Sequence, residues 1–167
     1  DSEVGIVVLD GAGERGFSAG GDIRELYGFA VDGNAGEARD FFRSEYRLDA
    51  LIARYPKPVV AIMDGITMGG GVGISLPCEY RIATEATRLA MPETGIGLFP
   101  DVGGGWYLSR LPGRVGQFMA LTGARLDASE CVYLGLATNY IEQASLEELH
   151  DRILKAPSRL KGTLGSM

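Results

Sequence analysis

Short continuous apolar runs alternate with glycine-rich and polar stretches along the chain. Ile6-Val7-Val8-Leu9 and Val59-Val60-Ala61-Ile62-Met63 are unbroken apolar segments flanked by turn-forming residues, the pattern of strands buried on both faces. Tyr80–Ala83 and Leu89-Ala90-Met91 predict further short strands. Between the first two strands the period changes. Ala38, Phe41, Leu48 and Ile52 recur at helical spacing, which predicts a helix from about Glu37 to Arg54 that Pro56 and Pro58 bring to an end. A glycine-rich loop reaches Gly21, a helix starts over 22–28, and Val31–Gly36 reads as a loop. Two more helices are predicted over Gly104–Leu111 and Arg114–Leu121. Asp127-Ala128-Ser129-Glu130 and Ser145-Leu146-Glu147-Glu148 both read as capping boxes, opening helices to about Leu134 and through Leu154. Strands alternating with helices give an α/β class. No repeat, low-complexity tract or linker interrupts the middle of the chain.

The composition narrows the function more than the fold. With 167 residues, 46% of them hydrophobic and 23% charged, the chain has the balance of one globular domain able to bury a core. Its formal net charge of −6 argues against nucleic acid as a partner, because neutralising phosphates needs a basic face. An anionic small molecule remains compatible, since a few N–H groups and local cations suffice to hold one. Cys78 and Cys131 are too few and too far apart for a disulfide framework, and with a single histidine a structural zinc site is not expected. No stretch has the ~18–20 apolar residues of a membrane span, and no secretory signal opens the chain.

Several motifs bear chemistry. Glu45 falls on the apolar stripe of the long helix, between Phe41 and Leu48. A carboxylate there needs a partner or a role; a boundary position paired with Arg43 or Arg47 is the alternative, and the pattern leaves both open. Gly69-Gly70-Gly71-Val72-Gly73 puts glycines where a helix should begin, at a cost of about 1 kcal/mol each against alanine. Bare N–H groups at such a terminus favour a developing oxyanion, although close helix–strand packing also uses glycine. Glu93 and Asp101 sit between glycine turns, where each could equally cap the helix that follows.

Two other patterns suggest different functions. Gly11-Ala12-Gly13-Glu14-Arg15-Gly16 matches the dinucleotide fingerprint, but the following Phe17-Ser18-Ala19-Gly20-Gly21 is not helix-forming, as that motif requires. Gly16-Phe17-Ser18-Ala19-Gly20 matches a nucleophile elbow, and the order Ser18, Asp101, His150 fits an α/β-hydrolase triad. Against it, no strand leads directly into Ser18, and His150 lies in the Glu-rich segment Leu146-Glu147-Glu148-Leu149-His150.

Three phrases carry a family resemblance: Asp64-Gly65-Ile66-Thr67-Met68-Gly69-Gly70-Gly71-Val72-Gly73, Pro92-Glu93, and Phe99-Pro100-Asp101-Val102-Gly103-Gly104-Gly105. In them, and more loosely from Gly5 to Ile141, the chain resembles the crotonase (enoyl-CoA hydratase/isomerase) superfamily, closest to its 3-hydroxyisobutyryl-CoA hydrolase branch. The resemblance implies a crotonase-like ββα spiral. It implies an acyl-CoA thioester hydrolase of valine breakdown, with Gly21 and Gly70 as oxyanion donors. Glu93 would be the base or nucleophile, and Asp101 would position water or the substrate hydroxyl. Glu45, in Phe42-Arg43-Ser44-Glu45-Tyr46-Arg47-Leu48, would bind the acyl end. Hydratases of the superfamily use a second Glu whose position falls at Gly73 here, so that acid is lost; Asp101 stands where many of them have a small residue. A hydratase or isomerase using Glu93 alone, and a scaffold without activity, are the alternatives. CoA would come as part of the substrate, with no other cofactor, metal or membrane partner; homo-oligomer formation stays open. The location implied is cytoplasmic for a bacterial protein and the mitochondrial matrix for a eukaryotic one. The resemblance also divides the chain into a core over 1–143 and a helical part over 144–167. It leads us to expect a further N-terminal strand, and further sequence before the tail Ala156-Pro157-Ser158-Arg159-Leu160-Lys161-Gly162-Thr163-Leu164, which matches a later segment of that branch.

Overall fold

The structure, a computed structural model, describes residues 2–156 and 160–165. Its centre is a parallel sheet of four strands in the order β1 (Val7–Leu9), β2 (Val59–Met63), β4 (Tyr80–Ala83) and β6 (Asn139–Tyr140). Register is set by Val8 opposite Val60, Ile62 opposite Ile82 and Ile82 opposite Asn139. Every residue of β2 is buried, and alternation along it feeds two cores. Val59, Ala61 and Met63 face a cluster with Val72, Leu89, Met91, Met119 and Cys131. Val60 and Ile62 face Ile82, Leu149, Ile153, Leu160 and Leu164. The second cluster is closed by α7 (Leu146–Lys155) and α8 (Leu160–Leu164). Within the tail, residues 157–159 lie outside the described residues.

A second, two-stranded parallel sheet pairs β3 (Ile66–Met68) with β5 (Arg88–Ala90). The turn from β2 into β3 is held by Asp64, which accepts from Thr84 Oγ1 at 2.6 Å and from Gln143 Nε2 at 3.0 Å. The remaining helices are α1 (Ile23–Val31), α2 (Ala35–Ile52), α3 (Gly70–Ser75), α4 (Gly104–Leu108), α5 (Val115–Thr122) and α6 (Ala128–Tyr133).

Asp127 and Glu130 form the predicted reciprocal capping box at α6. Ser145 does not form one. A 3-10 turn over Gln143–Ser145 runs straight into α7, so Ser145 has helical backbone (φ −97°, ψ 0°) and makes no side-chain cap. Capping needs the extended backbone that swings the side chain over the first amides.

Candidate active site

The glycine-rich loop before α1 is stitched to β3. Gly16 bridges Gly65, Ser18 N donates to Ile66 O at 3.0 Å, and Met68 N donates to Ser18 O at 2.9 Å. This register brings Ala19-Gly20-Gly21 against Gly69-Gly70 at the mouth of α3. The two loops approach so closely that a Cβ on Gly20 would lie 2.7 Å from Gly70 N. Gly69 has φ +54° and ψ −122°, a conformation essentially closed to L side chains, and its carbonyl accepts from Val72 N and Gly73 N to start the helix. The amides of Gly21 and Gly70 donate to no acceptor among the described residues.

A cavity of about 330 Å³ is lined by Gly21, Gly70, Glu45, Glu93 and Asp101 together with Phe41, Phe42, Ile96 and Leu98. All five residues singled out in the sequence therefore share one cleft. A larger hollow, about 560 Å³, adjoins it through Gly20, Phe41, Glu45 and Gly70.

Glu93 opens a 3-10 turn over Glu93–Ile96 and is only 6% exposed. Its Oε1 comes within 3.2 Å of where a Gly69 Cβ would be, and its Oε2 has no hydrogen-bond partner among the described residues. Burial raises its pKa, the backbone hydrogen bond to its carboxylate opposes the rise, and the charge of Asp101 adds to it.

Asp101 does not cap α4 with its side chain. Gly103, in the left-handed region, occupies that position with no side-chain cap, and Asp101 contributes only its carbonyl, to Gly104 N. Its Oδ2 instead accepts a 2.6 Å hydrogen bond from the phenol of Tyr46.

Glu45 reaches the cleft from α2. The stripe it belongs to meets the core only at its end: α2 has no fully buried residue, Leu48 is 46% exposed, and Ile52 packs against the core cluster. Phe41, Glu45 and Leu48 form a cavity wall. Glu45 is half-buried, its Oε1 sitting 2.5 Å from the point a Cβ on Gly70 would occupy. Burial first, then the charges of Asp101, Asp49 and Glu93, push its pKa up to about 7.

Two residues that act on this cleft without lining it, Asp49 and Tyr46, face a separate cavity beside Gly73 and Val102 and are not singled out by the sequence. Asp49, one turn beyond Glu45, has both carboxylate oxygens buried without a hydrogen-bond partner among the described residues; burial and the charge of Asp101 raise its pKa to about 6. Its i+4 spacing from Glu45 was the available signal. Tyr46 offered none, because its partner lies 55 residues away.

The rival motifs do not assemble. Residues 16–18 continue as a strand-like bridge, and α1 begins only after Asp22 caps it, so no helix opens at the Gly11–Gly16 fingerprint. Ser18 Oγ accepts from Gly20 N at 3.1 Å, His150 Nε2 pairs with Asp10 Oδ2 at 3.0 Å, and Asp101 pairs with Tyr46. The second hydratase acid has no room either, because a Cβ on Gly73 would lie 2.5 Å from Val102 Cβ.

The family model for enoyl-CoA hydratase/isomerase matches residues 1–166. The chain is 52% identical over 162 residues to the 3-hydroxyisobutyryl-CoA hydrolase, mitochondrial, of Danio rerio, covering 95% of this chain and 42% of that protein. It is 46% identical over 156 residues to the small ribosomal subunit protein mS47 of Neurospora crassa, covering 92% of this chain and 31% of that one. Among solved structures it superposes on a carnitinyl-CoA dehydratase from Mycobacterium thermoresistibile with a TM-score of 0.93 and 44% identity, over 99% of this chain and 48% of that one. The chain thus spans less than half the length of these relatives. Identity near one half along almost all of its residues, on a superposable backbone, makes this chain a member of the enoyl-CoA hydratase/isomerase family, the crotonase superfamily.

Proposed function

We propose that the chain carries the catalytic cleft of an acyl-CoA thioester hydrolase acting on 3-hydroxyisobutyryl-CoA in valine breakdown. One observation carries the choice among crotonase chemistries. Val102 fills the space beside Gly73 that a second hydratase acid would need, while Asp101 is held in the cleft by Tyr46. The relatives named as 3-hydroxyisobutyryl-CoA hydrolases support the same reading.

In this reading the thioester oxygen accepts hydrogen bonds from the free amides of Gly21 and Gly70, which strengthen as negative charge develops on it. Glu93 either takes a proton from the attacking water or attacks the carbonyl itself to give an anhydride that water opens. In both cases a C–O bond forms, the C–S bond breaks, and the thiolate leaves with its electron pair and is protonated. Asp101 orients the water or the substrate hydroxyl, and Glu45 binds the acyl end. The location that follows is the mitochondrial matrix for a eukaryotic protein, as in the relatives named mitochondrial, and the cytoplasm for a bacterial one.

A hydratase or dehydratase using Glu93 alone is the second reading, favoured by the name of the superposed solved structure. A non-catalytic role, as the ribosomal relative's name suggests for that protein, sits poorly with an unpartnered carboxylate oxygen on a 6%-exposed Glu93. A panel of acyl-CoA esters, assayed separately for free thiol and for double-bond hydration, separates the three. Thiol release supports the hydrolase, hydration alone the hydratase, and neither the scaffold.

A further inference from the structure

The charged side chains lining the two connected cavities are all of one sign. The smaller holds Glu45, Glu93 and Asp101; the larger holds Glu25, Glu37, Asp40 and again Glu45. No lysine or arginine lines either one among the described residues. Glu45 stands at the junction, its Oε1 beside Gly70. An acyl chain bonded through its thioester at Gly21 and Gly70 that enters either cavity passes Glu45, which lines both. Glu93, nine-tenths buried with an oxygen that has no partner among the described residues, also lines the smaller cavity. Nothing on the described walls compensates a second negative charge, and desolvating an unpaired carboxylate beside others is strongly unfavourable. A hydroxyl in the same place donates a hydrogen bond to the same carboxylates and is welcomed.

Resting on the thioesterase reading above, we propose that this cleft is a charge filter on the acyl group: it admits neutral acyl chains, hydroxylated ones above all, and rejects acyl chains ending in a carboxylate, with Glu45 as the discriminating residue. Methylmalonyl-CoA is the sharpest probe, because it differs from 3-hydroxyisobutyryl-CoA only in carrying COO⁻ where the latter has CH₂OH. The groups facing Glu45 are Asp49 on its own helix, Asp101 before α4, Glu93 on the 3-10 turn and, across the larger cavity, Glu25 on α1. Arg43 on α2 is exposed and pairs with Asp40. Among the described residues no ion pair reaches Glu45, and the filter relaxes as Glu45 takes up a proton at about pH 7 and below.

The experiment compares kcat/KM for the two esters with the full-length protein at pH 8 and pH 6, together with the inhibition constants of methylmalonyl-CoA and isobutyryl-CoA. Wild type at pH 8 is expected to disfavour methylmalonyl-CoA by at least about 100-fold. Glu45→Gln narrows that ratio by about 10-fold, and pH 6 narrows it in unmodified protein. Comparable turnover of the two esters overturns the filter. A large ratio untouched by both Glu45→Gln and pH overturns the assignment to Glu45. If no ester releases thiol, the hydrolase reading fails separately, and the two inhibition constants still decide the filter: equal values refute it, and weaker methylmalonyl-CoA binding upholds it.

Discussion

Tyr46 and Asp101 are joined by a 2.6 Å hydrogen bond from the Tyr46 phenol to Asp101 Oδ2, although 55 residues separate them. Tyr46 follows Glu45 directly, so the long helix α2 fixes two carboxylates of the cleft at once: one is its own, and the other is held by its neighbour. Asp101 is thereby kept from the capping position its sequence context would otherwise offer.

Losing a hydrogen bond to a charged group costs ~1.5–3 kcal/mol. Tyr46→Phe is therefore expected to lower thiol release by about 10- to 100-fold if Asp101 must be oriented in the transition state. Single-turnover kinetics on folded protein check this. Wild-type rates in Tyr46→Phe would show that the bond only ties α2 down.

Glu45 and Asp49 titrate near 7 and 6, against ordinary values of 4.5 and 3.8. The folded protein keeps protons that the unfolded chain has already released, so this contribution is complete below the unfolded values and is lost as pH rises toward 7. Asp49→Asn should consequently raise the melting temperature at pH 8, with the gain shrinking as pH falls toward 4. Thermal unfolding at several pH values tests it; a pH-independent difference would argue that Asp49 finds a partner when folded.

Gly73 and Val102 form a tight contact, and Val102 has φ +40°, rare for a β-branched residue. Gly73→Ala should cost about 1–3 kcal/mol by overpacking, and most of that should disappear in a Val102→Ala background. A double-mutant cycle in denaturant measures the coupling, which should exceed about 0.5 kcal/mol. Additive effects would mean that Val102 is not what closes the position.

Much of this architecture could be read from the sequence. The runs 59–63 and 80–83 became strands with the predicted bounds, because buried parallel strands are written as unbroken apolar residues. What escaped notice is set by pairing. β3 and β6 have three and two residues, too short for any pattern, and exist because Ser18, Arg88–Ala90 and Ile82–Ala83 lie beside them. The residues of the cleft were visible singly, as glycines and carboxylates in odd places. Their convergence was implied only by family resemblance, and Tyr46 and Asp49, which line a neighbouring cavity, act on the cleft through Asp101 and Glu45. The stripe on α2 is one face with two uses: Phe41, Glu45 and Leu48 line a cavity wall, and Ile52 packs against the core.

His150 is a test of the alternative hydrolase chemistry. Its partner is Asp10, in an exposed pair worth at most about 1 kcal/mol. His150→Ala should leave turnover unchanged. A loss of several powers of ten in a folded variant would restore Ser18 as a nucleophile activated by histidine.

The most direct test of the central claim follows both products in one reaction series. The full-length protein is given 3-hydroxyisobutyryl-CoA while free thiol is recorded, and crotonyl-CoA while loss of the double bond is recorded, for wild type and Asp101→Asn. The account predicts thiol release well above hydration in wild type and a ~10²–10⁴-fold loss of thiol release in Asp101→Asn, the range for a positioned acid–base group. Robust hydration without thiol release, unaffected by Asp101→Asn, would contradict the hydrolase and leave the crotonase fold in place.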